Sequence, residues 1–145
     1  MHTRHRERGN AMVETAIALP ILLLMMVGIF EVGRAYETWQ VVTNAAREGA
    51  RAGVVPSGSD ATSTAIIRKY MQDGQLSRYS DATVVVNRSA TLTVNGTNLA
   101  ATQVTIDYPF QFIMLQPVAR LVMPSTNIGQ DITMRATAMM RNEAP

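Results

Sequence analysis

Apolar residues are concentrated in one long block near the start of the chain and spaced periodically after it. Ala11 to Phe30 is a stretch of twenty residues whose only charge is Glu14. A helix needs about 20 residues to cross about 30 Å of hydrocarbon, so this block predicts a membrane-spanning helix. A buried core helix is the competing reading, and the lack of a polar stripe argues against it. Pro20 deprives the helix of the bond to the Ala16 carbonyl and predicts a bend or loosening there.

Beyond Phe30 no breaker appears before Gly53 and Pro56, so the same helix is expected to continue outward as a stalk. Val32, Ala35, Trp39, Val42, Ala46, Gly49 and Gly53 recur at steps of three and four, the spacing of a packing seam. Glu31, Arg34, Glu37, Arg47, Glu48 and Arg51 fall off that seam. Extended backwards it passes through Gly28, Met25, Ile21 and Ala18 to Glu14. Ala46, Gly49, Ala50 and Gly53 would admit a close backbone neighbour, either the C-terminal part of the same chain, which is favoured, or another subunit.

The pattern then changes. VVPSGSD at 54–60 is a breaker cluster, and Ser59 or Asp60 can cap a short helix through residues 61–73 that Gly74 ends. Ile66, Ile67, Tyr70 and Met71 form its apolar side. Strands are expected at 82–94, 101–112 and 131–141, the first two joined through an Asn95-Gly96 hairpin turn. Pro109 predicts that the second strand ends, bulges or lies at an edge nearby. Residues 112–129 are apolar for a loop, with Pro117 and Pro124 interrupting any long helix, and are assigned to the core in preference to a contact surface. The fold class is therefore α+β: a long N-terminal transmembrane and stalk helix, a short helix, and a small antiparallel sheet.

Charge orients the chain. The formal net charge of +2 is supplied by Arg4, Arg6 and Arg8 against Glu7, leaving ten basic and ten acidic residues from Asn10 onward. No basic face for nucleic acid is indicated. The basic tail ahead of the apolar block places residues 1–9 in the cytoplasm and the C-terminal part outside, in a single pass. A secretory signal peptide would share this start, but the apolar run exceeds the usual length of roughly 7–15 residues. Its best cleavage site, Gly33-Arg34-Ala35, carries an Arg.

Composition narrows the chemistry. There is no cysteine, so no disulfide or thiolate metal site can form. Both histidines, His2 and His5, lie in the N-terminal tail, and Lys69 is the only lysine. No nucleophile and base come together, and Asp60, Asp73, Asp81, Asp107, Asp131 and Glu143 are scattered singly. Gly49, Gly53 and Gly58 fit neither nucleotide fingerprint. The expectation is a protein that is not an enzyme, with no cofactor, no metal and no small-molecule substrate. Asn87-Arg88-Ser89 and Asn95-Gly96-Thr97 match the N-glycosylation pattern and are assigned no role.

Glu14 is the informative residue. An ionised carboxylate inside a membrane helix costs about 2.5–3.5 kcal/mol on insertion scales and by default marks function; the bland alternative is snorkelling to the headgroups. If the chain were cut after Gly9, Asn10 would become residue one and Glu14 residue five, about one helical turn away. In subunits packed side by side with a slight stagger, Glu14 would then meet the Asn10 ammonium of its neighbour, each offsetting the desolvation of the other.

A basic leader ending in Gly9, a Glu five residues on and an apolar helix beyond resemble type IV prepilin-like proteins. Residues 8–53, with Gly9, Glu14, Pro20, Glu31 and AAREGAR at 45–51 in order, are similar to the TadE-type pseudopilins of tight-adherence (Flp-type) pilus systems. That resemblance implies a prepilin-type leader over 1–9, processing between Gly9 and Asn10, a transmembrane and stalk helix over 10–53, and an extracytoplasmic α+β domain over 54–145, pilin-like in outline. It also implies a minor pseudopilin role, with the membrane, a prepilin peptidase, other pilins and an assembly ATPase platform as partners. The alternative of a different class is an uncleaved signal-anchored membrane protein whose outer domain binds a ligand or envelope partner.

Overall fold

The computed structural model describes residues 3–55 and 57–142, with the side chains of residues 3–10 outside the description. His2, Pro56 and Glu143, named above, lie outside it. The described chain is α+β: α1 (Thr3–Gly53), α2 (Asp60–Asp73), a 3-10 turn (Tyr79–Asp81), β1 (Thr83–Val94), β2 (Thr97–Phe110), α3 (Leu115–Val122) and β3 (Ile132–Arg141). It divides into two compact units, residues 1–34 with 111–131 and residues 35–110 with 132–145, and α1 contributes to both.

The second of these units holds the sheet, antiparallel in the order β1-β2-β3. The hairpin closes tightly, with Val94 opposite Thr97 and positive φ at both Asn95 (51°) and Gly96 (79°). Two successive left-handed residues match the twist of the flanking strands, which is why Asn-Gly suits this position. β2 starts at Thr97 rather than 101 because pairing runs right up to the turn, and it ends at Phe110. Pro109 pairs with Thr133 of β3 but lies past Asp107, the last β2 residue matched to β1, so no β1 partner requires its missing N–H.

Val104, Ile106, Tyr108 and Phe110 are buried along β2 at a period of two, as are Met134 and Ala136 on β3. On the opposite face Asp107 and Arg135 stand directly across the ladder and pair through both carboxylate oxygens, at 2.7 and 2.9 Å. In α2, Ser59 Oγ accepts the Thr62 N–H at 3.0 Å to cap the helix, and Ser63, Ile67 and Met71 are buried at helical spacing. Each fully buried aliphatic side chain of this kind stabilises by about 1.5–3 kcal/mol.

The α1 residues in this unit are buried at Thr38, Val42, Ala45, Ala46, Gly49, Ala50 and Gly53. Small size is required here: a Cβ on Gly49 would lie 2.4 Å from Ile67 Cδ1, and one on Gly53 would lie 2.8 Å from Thr102 Cγ2. Trp39 is exposed, so N-terminal to Val42 the seam passes through Thr38, one residue aside from the expected track. Trp39 is too bulky for a face that otherwise takes alanine, glycine, threonine and valine.

β1 carries a bulge. Asn87 faces Gln103 and Ala90 faces Ala101, so Arg88 and Ser89 together stand opposite Thr102. The extra residue aims Arg88 at the end of α1, where its guanidinium donates to the carbonyls of Gly53 (3.1 Å), Val55 (3.2 Å) and Gly58. Of these, the Gly53 carbonyl is the last of α1, at the negative end of its dipole, and the Val55 and Gly58 carbonyls belong to the turn that follows, where the Gly58 N–H also donates to Val55 at 2.9 Å.

In the other unit, residues 112–129 contain α3. Pro117 does not prevent it, because in the first turn its absent N–H would have had no helical partner. Ala119 is buried and Leu115, Val118 and Val122 are half-buried, but Ile113, Met114, Leu121, Met123 and Ile128 are exposed. The assignment of this segment to the core is therefore corrected: eight helical residues bury one stripe and leave the rest of their apolar surface bare.

Candidate functional site

The surface that distinguishes this chain lies on the first part of α1. Met12, Val13, Ile17, Leu19, Leu22, Met25, Met26, Ile29 and Phe30 are all exposed. Contiguous bare apolar area of this extent marks a surface that meets lipid or protein. Glu14 stands exposed within it, and Thr15 beside it returns its hydroxyl to the Ala11 carbonyl at 2.9 Å. α1 is helical on both sides of Pro20. Gly9 and Asn10 lie in its helical backbone, and the Asn10 side chain falls outside the description.

Where the apolar span stops, a second feature appears. Glu31, the first residue past the span, is fully buried. Its Oε1 accepts the backbone N–H groups of Ile113 (2.8 Å) and Met114 (2.6 Å), and its Oε2 accepts from Arg34 Nη1 one turn along α1. Arg34 also donates to the Gln111 carbonyl at 3.5 Å. The carboxylate thus sits at the entry to α3, on the N–H groups of its N-cap residue Met114 and of Ile113 before it, close to the position a helix offers to an anion. Burial pushes its pKa up, but the Met114 and Ile113 N–H groups, the Arg34 charge and the Leu115 N–H outweigh it and hold the carboxyl below its ordinary range.

The expectation that Glu31 lies off the packing seam is corrected. Burial is tolerated because its lone pairs are filled by donors and its charge by Arg34. The sequence held half of the signal, a Glu and an Arg three residues apart just past an apolar block. Its other partners are backbone amides some eighty residues away, and amides leave no mark in a sequence. Of the remaining residues named from the sequence, Ala46, Gly49 and Gly53 belong to the sheet-bearing unit and are buried there.

The Ala11–Gly53 part of α1 is long and apolar enough to cross a membrane, which is compatible with a single-pass membrane protein. Residues 9–51 match the family described as TadE-like protein, and this match points to a role in Tad pilus-related systems. Neither a curated protein nor a solved structure matches the chain.

Proposed function

We propose that the chain is a minor pseudopilin of a tight-adherence pilus system, cut between Gly9 and Asn10 by a prepilin peptidase and assembled through its N-terminal helix. The observation that carries this reading is the exposed Glu14 on the bare apolar face of α1, five residues past Gly9. A carboxylate there is costly for a lone helix in lipid and is compensated when a neighbouring subunit brings an ammonium to it. The family match over residues 9–51 supports the same reading.

In this role the chain is a substrate and building block rather than a catalyst. Before processing, the three arginines of the tail hold residues 1–9 in the cytoplasm, α1 crosses the cell membrane, and residues 54–145 lie outside. Afterwards the new Asn10 ammonium and Glu14 set the register between subunits, and other pilins and the assembly ATPase platform supply the remaining contacts and the energy.

N-terminal sequencing of the membrane-associated product, from cells containing the peptidase, tests the proposal. Asn10 as first residue is the expected result. A start at Met1 would instead support an uncleaved signal anchor, and a start at Tyr36 a secretory signal peptide; either would overturn the pseudopilin reading.

A further inference from the structure

We propose that the 113–123 segment is a second membrane contact, with the exposed apolar side of α3 seated in the outer headgroup layer of the bilayer that α1 crosses. This rests on the reading of Ala11–Phe30 as the membrane span.

The level of the segment is fixed by Glu31. That residue directly follows the apolar span, and its carboxylate holds the Ile113 and Met114 N–H groups at 2.8 and 2.6 Å. The start of α3 is thus tied to the point where the span meets water. Ile29 and Phe30, exposed one and two residues earlier on α1, continue the bare apolar surface to the same level.

The helical arrangement gives α3 two apolar stripes. Leu115, Val118, Ala119 and Val122 form the covered one. Met114, Pro117 and Leu121, spaced by three and four, form the other, with Leu121 exposed at 76% and Ile113 and Met123 bare at either end. Gln116 and Arg120 fall together on the remaining side. A short helix with a broad apolar arc and a narrow polar edge carrying Arg suits the boundary between acyl chains and headgroups. The occupant is inferred to be lipid because the bare stripe starts at the level where the exposed apolar surface of the proposed span ends.

The chain has no cysteine, so single-cysteine spin labels need no prior substitution. Leu121→Cys, Met25→Cys and Val85→Cys would each be labelled in the full-length protein and reconstituted at one copy per nanodisc of phosphatidylcholine and phosphatidylglycerol. Collision with oxygen and with a water-soluble nickel chelate is then compared. At position 121 the oxygen-to-nickel ratio should be several-fold above that at 85 and below that at 25. A ratio at 121 equal to that at 85, with 25 lipid-exposed, would overturn the proposal while leaving the membrane span intact. A label at 121 shielded from both reagents would overturn it in favour of a protein occupant. If the label at 25 also reads as aqueous, the span itself fails and the proposal with it.

Discussion

Arg88 ends the first helix from a distance: its Nε lies 3.1 Å from the carbonyl of Gly53, thirty-five residues earlier in the chain. The bulge in β1 makes this reach possible, and Val55 and Gly58 supply the guanidinium with two more carbonyls. Replacement by alanine would take a charged donor from three part-buried carbonyls, of which Gly53 and Val55 keep weaker or single donors in Thr102 Oγ1 and the Gly58 N–H. We expect Arg88→Ala to destabilise the sheet-bearing unit by about 2 kcal/mol, and Arg88→Lys, which keeps the charge but loses the planar fork, by less. Thermal denaturation in detergent measures both; equal effects of the two variants would show that fork geometry is irrelevant here.

Gly49 and Ile67 are a second pair whose fit sets a limit. A branched side chain at 49 must displace the fully buried Ile67, so Gly49→Val should cost roughly 1–3 kcal/mol. Combined with Ile67→Ala, the new methyl groups occupy the vacated space, and the double variant should be less destabilised than the sum of the single changes. Strict additivity in a double-mutant cycle would mean that the two positions do not compete for the same volume.

Acid should release the hold of Glu31 on residues 113 and 114. Its folded-state pKa lies below the ordinary 4.5, so the stabilisation is complete above that value and is lost as pH falls through the lowered one. The amide proton resonances of Ile113 and Met114 should therefore titrate together, with a midpoint below 4.5. A midpoint at or above that value would contradict the pairing with Arg34 and the two amides.

Glu14→Gln tests the charge-pair proposal separately from processing. The amide keeps size and polarity but cannot neutralise an ammonium, so cleavage after Gly9 should proceed while incorporation into the assembly falls several-fold. Quantifying processed subunit in sheared pilus fractions distinguishes the two steps. Undiminished incorporation would remove Glu14 from any role in register.

What could be read from the sequence was local. The end of α1 at Gly53, the Ser59 cap on α2, the Asn95-Gly96 turn and the three strands each have a short-range chemical signature, and the structure carries all of them. The helix in 112–129 was obscured by Pro117, although the spacing of Leu115, Val118, Ala119 and Val122 is helical and Pro is acceptable in a first turn. Less accessible were Arg88 and Glu31, each of which acts on backbone groups far away in the chain. Side chains that bond to main chain are not complementary to any residue type, so no pattern of letters announces them.

The bond between Glu31 and Met114 joins residues 83 apart in sequence, which dictates an order of events during synthesis. Nascent chain emerges from its N-terminus, so Glu31 waits, hydrated, until more than eighty further residues have been made. If the apolar block spans the membrane as proposed above, it has by then had time to partition into the bilayer. On the proposed reading of Ala11–Phe30 as a membrane span, residues 111–131 dock onto a helix that the bilayer already holds, and the bilayer acts as a jig for this part of the protein.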